Sequence, residues 1–173
     1  MGVIVGRVCK LSEVDKEDDN ILSPLCRHSY LPAPVTNLAH SSSALPSMGE
    51  PDVVYILTLG VRAFFRRKGI GARLMRELLD TVNTAAYYNC KCIYLHVDVE
   101  NTGAVQFYES NGFSLHTRLH EYYTFRDGSL RDAFTYVLYV NGGSPPSTFS
   151  SALTTCMSEL IKGIKKCIGR FGS

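Results

Sequence analysis

No run in the sequence approaches the ~18 uninterrupted apolar residues of a membrane-spanning helix, which excludes a helix that crosses a bilayer. Residues 1–20 lack the basic start and apolar stretch of a secretory signal. An N-myristoylation pattern fails too, because Gly6 stands where Ser or Thr is required. Net charge is only +2, too little to argue for a nucleic-acid partner. Cys90-Lys91-Cys92 has no second pair at zinc spacing, and no other set of His, Cys and carboxylates has the spacing of metal ligands. Six cysteines without a secretory signal read as reduced thiols rather than a disulfide framework. What is present, 173 residues at 45% apolar and 20% charged, is the composition of one globular domain with an appendage.

The small charge is unevenly placed. Lys162, Lys165, Lys166 and Arg170 stand against Glu159 alone in residues 144–173, so that stretch carries +3 and the rest of the chain −1. On a helical wheel Leu153, Met157, Leu160, Ile161, Ile164, Ile168 and Phe171 share one arc, and the cations fall outside it. After the breaker Ser144-Pro145-Pro146, this predicts a linker and then a basic amphipathic helix lying on an anionic membrane surface through residues 148–171. Cys156 and Cys167 are open to palmitoylation, although nothing in the sequence requires it.

Residues 1–143 are expected to form the domain. Gly2 to Val8 is β-branched and predicts a strand. Residues 10–50 turn polar, with an acidic knot from Glu13 to Asp19 and scattered prolines, and predict a long irregular insert without chemistry. Then follow a strand over Val53–Val61, a helix over residues 70–88, a strand over Lys91–Asp98, a short helix over Asn101–Asn111, and strands over Phe113–Tyr123 and Asp132–Val140 around the Asp127-Gly128 turn. Strand, helix, strand, helix and hairpin predict an α/β (α+β) fold, a mixed sheet flanked by helices with a parallel crossover at its centre.

The strongest local signal is Arg66-Arg67-Lys68-Gly69-Ile70-Gly71, between a strand and a helix start. Glycines two apart let a ligand approach the backbone, and the helix start offers unpaired N–H groups at a positive dipole end, so the loop suits a phosphate. A Walker loop is excluded because no Lys-Ser or Lys-Thr follows, and a dinucleotide fingerprint because the third glycine is missing. Alone, the loop could equally be a tight turn with an exposed basic edge.

One crossover later stands Asn101-Thr102-Gly103-Ala104-Val105-Gln106-Phe107-Tyr108, followed by Asn111-Gly112-Phe113. With this second motif the chain resembles the GNAT superfamily of acetyl-coenzyme A-dependent N-acetyltransferases. Val54 to Val61, Ile93 to Val97 and Phe134 to Gly143 resemble the NatF-type N-alpha-acetyltransferases within it. The resemblance implies the GNAT acyl-CoA N-acyltransferase fold, with acetyl-CoA as cosubstrate and no metal. It also implies protein N termini beginning with Met as substrates, including those of transmembrane proteins, and a peripheral place on the cytosolic face of the Golgi.

By matched positions it implies that Tyr55 and His96 accept the proton of the attacking amine, and histidine is the better single base near neutral pH. The amides of Leu59, Gly60 and Val61 would hold the pantetheine arm, and Arg67, Lys68, Gly69, Ile70, Gly71 and Ala72 the pyrophosphate. Asn101, Tyr108, Glu109, Ser110 and Asn111 would contact the cofactor, with Tyr108 a proton donor to the departing thiolate. Leu57 and Tyr123 would line the peptide side, with Tyr122-Tyr123 either covering the substrate N terminus or only packing the hairpin. His28, His40, His116 and His120 have no matched role, and no cysteine sits at a motif position that would support an acyl-cysteine route.

The resemblance also implies a first strand, a helix pair and a second strand ahead of Gly2, so the fold is expected to be N-terminally incomplete. Three alternatives stay open: N-terminal acetylation, lysine acetylation on histones, and an inactive acetyl-CoA-binding, membrane-associated fragment.

Overall fold

The structure, a computed structural model, describes residues 1–27 and 49–146. The expected amphipathic helix, His28, His40 and much of the insert lie outside the described residues. Five strands, β1 (Gly2–Lys10), β2 (Asp52–Val61), β3 (Cys90–Asp98), β4 (Ser114–Thr124) and β5 (Leu130–Tyr139), form one sheet in the order β1-β2-β3-β5-β4. Only β2 and β3 run parallel, joined through α2 (Ile70–Val82); the other neighbours are antiparallel. The short α1 (Pro24–Arg27) and α3 (Thr102–Ser110) complete the regular elements, along with 3-10 turns. Among the described residues, no helix is long and apolar enough to cross a membrane.

The sheet is buried on both faces. Val54, Ile56, Ile93, Leu95 and Tyr136 pack with Met75 and Val82 of α2 and with Tyr108 of α3. On the other face Val53, Cys92, Tyr94 and Val137 pack under Leu11, Val14, Ile21 and Leu22. Each of these aliphatic side chains contributes about 1.5–3 kcal/mol by leaving water. The polar stretch after β1 is therefore not empty of structure: residues 11–23 make 3-10 turns that roof the second core, where a long irregular insert without chemistry was expected.

Helix α2 stops at Val82, earlier than the periodicity through Ala86 suggested. Thr84 Oγ1 donates to the Thr81 carbonyl at 2.8 Å there, and a 3-10 turn, Ala85–Tyr87, follows. The side-chain amide of Asn141 donates to the carbonyls of Val82, Tyr87 and Cys90 at 3.1, 3.1 and 3.0 Å, so groups the helix end leaves unpaired find a donor.

The feature that positions the site is a parting of β2 from β3. Their pairing ends at Tyr55 opposite Tyr94, while β2 continues along β1 to Val61 and β3 along β5 to Asp98. A bulge marks the divergence: Val5 faces Thr58 and Gly6 faces Ile56, which leaves Leu57 without an opposite residue. Bulges bend the strand that carries them. Beyond this point the β3-facing backbone groups of Leu57 to Val61 have no strand partner, and a wedge opens between two central strands.

Candidate active site

Where the wedge opens, three side chains converge on one imidazole. His96 Nε2 lies 2.8 Å from Asp18 Oδ2. Its Nδ1 lies 3.0 Å from the Tyr55 hydroxyl and 2.8 Å from the Tyr122 hydroxyl. The second carboxylate oxygen of Asp18 accepts from Thr135 Oγ1 at 3.0 Å, and Asp18 is 0% exposed. A carboxylate only accepts, so Nε2 carries a hydrogen, and in the neutral imidazole Nδ1 presents a lone pair. That single lone pair can take one phenol at a time. Burial pushes the Tyr55 and Tyr122 phenols up, so both remain protonated donors at neutral pH.

The chemical capacity of this group is proton transfer. A proton arriving at either phenol oxygen can be matched by release of that phenol's own proton to Nδ1, and Asp18 stabilises the imidazolium that results. Tyr55 and His96 are brought together as the sequence suggested. Tyr122 is a member of the group rather than simple hairpin packing. Tyr123 stands beside it edge-on, ring centroids 5.0 Å apart, with its phenol pushed up to about 12 by burial. Leu57, at the bulge, is 53% exposed.

Asp18 and Thr135 escaped the reading of the sequence. Nothing in the chain separates Asp18 from Glu13, Asp15, Glu17 and Asp19 except its position three residues before the buried Ile21-Leu22 pair. That apolar pair was the available signal that part of the acidic knot faces inward. His116 and His120 serve the surface, bonded to Asn20 and Asp132.

At the other side of the wedge the loop before α2 is curved by two residues of positive φ, Arg67 at 59° and Gly69 at 74°. Arg67 is strained there by roughly 1–2 kcal/mol, whereas Gly69 is not. The first intrahelical bond runs from Arg73 N–H to the Gly69 carbonyl, so the amides of Ile70, Gly71 and Ala72 have no backbone acceptor among the described residues. Arg67 and Lys68 have no carboxylate partner among them either. Free amides at a dipole end beside unpaired cations form an anion cradle. Gly71 is small for packing: a Cβ there would lie 3.2 Å from the Phe107 ring.

Helix α3 spends most of its polar groups on itself. Asn101 Oδ1 caps it by accepting from the Ala104 amide at 3.2 Å. Ser110 and Asn111 both donate to the Phe107 carbonyl, and Glu109 accepts from the Tyr136 hydroxyl at 2.8 Å. Tyr108 differs: it is 8% exposed and its hydroxyl has no hydrogen-bond partner among the described residues. Leu59, Gly60 and Val61 edge the wedge on β2. Among the described residues no group of three or more His, Cys, Asp and Glu could hold a metal ion.

The acetyltransferase (GNAT) family profile matches residues 34–113. N-alpha-acetyltransferase 60 of Xenopus tropicalis is 39% identical over 167 residues, covering 96% of this chain and 60% of that protein. Histone acetyltransferase MCC1 of Arabidopsis thaliana is 30% identical over 139 residues, covering 80% of this chain and 54% of that protein. The crystal structures of Arabidopsis thaliana NAA60 with a bisubstrate analogue and with acetyl-CoA superpose with TM-scores of 0.61 and 0.58. They are 26% and 27% identical, and each match covers 82% of this chain and 65% and 66% of the solved chains. The chain thus spans little more than half the length of the curated relatives it matches. In the parted strands, the anion cradle and these matches together, the chain is similar to the GNAT family of acetyltransferases.

Proposed function

We propose that the chain is a protein N-terminal acetyltransferase that transfers acetyl from acetyl-CoA to an α-amine. The reading rests on the buried Asp18–His96 pair, which presents Nδ1 and two phenols at the mouth of the wedge. A protein α-amine has a pKa near ~8, so at neutral pH much of it must shed a proton before it can attack. Acetyl-CoA, when bound, supplies the activated thioester.

The chain's own residues do the rest. The cradle of Arg67 to Ala72 holds the pyrophosphate, and the backbone of Leu59 to Val61, which has no strand partner on its β3 side, orients the pantetheine arm. Tyr55 or Tyr122 takes the amine proton while yielding its own to His96. As the new C–N bond forms and the C–S bond breaks, the Tyr108 hydroxyl is the free donor for the leaving sulfur. Leu57 and Tyr123 line the peptide side.

The finer reading is a NatF-type enzyme acting on N termini that begin with Met, those of transmembrane proteins included, from the cytosolic face of the Golgi. The basic amphipathic pattern of residues 148–171 supports peripheral docking on an anionic membrane. A second reading, lysine acetylation on histones, is favoured by the likeness to the Arabidopsis histone acetyltransferase.

Thiol release from acetyl-CoA decides between them, with Met-Leu and Met-Lys peptides offered beside a lysine peptide whose N terminus is blocked. Turnover on free N termini alone is expected. Turnover only on the blocked lysine peptide would replace the first reading by the second, and none on either would leave a cofactor-binding fragment. For the tail, deletion of residues 144–173 is expected to abolish sedimentation with anionic liposomes, and unchanged sedimentation would refute that assignment.

A further inference from the structure

One turn ahead of the anion cradle, Arg62, Arg66, Arg67 and Lys68 surround the adjacent pair Phe64-Phe65. Phe64 is 80% exposed, although the turn that carries it is well fixed. Phe65 N–H donates to the Arg62 carbonyl at 2.8 Å, Arg66 N–H to the Ala63 carbonyl at 3.1 Å, and Arg66 Nε to the Val61 carbonyl at 2.9 Å. The Phe65 ring stands edge-on to Phe64 at 5.3 Å. The Lys68 ammonium sits 4.9 Å from the Phe64 centroid and 5.7 Å from that of Phe65. One face of the Phe64 ring thus carries a cation, and the rest of it is bare.

A rigidly held, bare phenyl ring contributes nothing to the described fold. Its place within one lysine's reach of the cradle says what would cover it. The ligand proposed for the cradle has an adenine joined to its pyrophosphate through a single ribose, and the base must leave the cradle at its outer edge. Adenine offers a π-face of the size of that ring, and an aromatic side chain beside a cation groove is the usual platform for a base. The four cations meet the phosphate charge that accompanies the base, including the 3′-phosphate on the ribose.

We propose that Phe64 stacks on the adenine of coenzyme A, so that the residues binding the cofactor extend beyond the Gly69-Ile70-Gly71 cradle to the turn before it. This inference rests on the acetyl-CoA reading above.

The sequence contains no tryptophan, so Phe64→Trp places a single reporter at the ring. Coenzyme A and adenosine 3′,5′-bisphosphate should both quench its emission, whereas phosphopantetheine, which lacks the base, should not. In parallel, calorimetry on the full chain should show Phe64→Ala weakening coenzyme A and dephospho-coenzyme A alike by about 5- to 20-fold, with Phe64→Trp restoring affinity. Equal loss for both ligands points to the base, because dephospho-coenzyme A keeps adenine and lacks the 3′-phosphate. Coenzyme A binding to Phe64→Trp without quenching, or unchanged affinity in Phe64→Ala, overturns the stacking and leaves the acetyl-CoA reading intact. Failure of the unaltered chain to bind coenzyme A overturns both.

Discussion

The anion cradle runs through consecutive residues, Arg67 to Ala72, whereas the imidazole group is assembled from distant ones. Tyr55 and His96 are 41 positions apart, Asp18 and His96 78, and His96 and Tyr122 26. The cradle works through backbone amides and two positive φ angles, so it needs glycine spacing more than particular side chains. The imidazole group works through side-chain donors and acceptors held in a buried place, so each member is specific and none announces the others. The two sides should therefore fail differently when perturbed: the cradle in affinity for the coenzyme, the imidazole group in turnover.

The largest effect is expected from His96→Ala. Turnover on a free N-terminal peptide should fall about 10²–10⁴-fold, the usual share of a positioned acid–base group. The dissociation constant for acetyl-CoA, measured by calorimetry, should stay within twofold. A parallel fall in coenzyme affinity would dissolve the division between the two sides.

Asp18→Asn probes a residue that acts through another. An Asn amide can donate to Nε2, which moves the ring hydrogen to Nδ1 and removes the lone pair facing Tyr55 and Tyr122. Turnover should drop about 10- to 10²-fold with coenzyme affinity unchanged. Nitrogen-15 NMR of the imidazole should report the exchanged tautomer. An unchanged tautomer with reduced turnover would assign Asp18 to packing alone.

On the cradle side, Gly69→Val forces a β-branched residue to φ 74°. The substitution should cost about 1–2 kcal/mol in the loop conformation and weaken acetyl-CoA binding by roughly 10-fold. Turnover at saturating coenzyme should be nearly retained. If turnover falls and affinity does not, the loop is not the coenzyme's anion site.

The same contrast explains what could be read from the chain. The parallel crossover, all five strands and the cradle were legible because each depends on local periodicity or contiguous glycines, as in Ile70, Leu74 and Leu78 along α2. The end of that helix was not legible, since Val82 is met by Asn141, 59 positions away. Tyr55 and His96 stood out through family resemblance rather than through their own pattern. Asp18 was invisible because its acidic neighbours are chemically equivalent to it until Ile21 and Leu22 turn that one carboxylate inward. Residues 11–27 look like a polar loop in composition, and only the second core beneath them gives them a fixed place.

Alkali offers the smallest expected effect, and it too separates the two sides. Burial raises the phenols of Tyr55, Tyr94, Tyr122 and Tyr123 around the imidazole, while on α3 only Tyr108 is raised. An unfolded phenol ionises near ~10 and these folded ones above it, so the unfolded chain releases protons first as the pH rises. Stability held by each buried phenol is complete below pH ~10 and is lost as the pH climbs toward the folded value. The urea midpoint should therefore decline as the pH rises above ~10. Lysines and buried thiols titrate in the same window, and Phe variants isolate the phenols from them. Tyr55→Phe and Tyr122→Phe together should flatten the decline by about twice as much as Tyr108→Phe. Equal flattening by Tyr108→Phe alone would mean that the phenols around His96 are already open to water, and a relay exposed in that way could not hold its protons in the order that turnover requires.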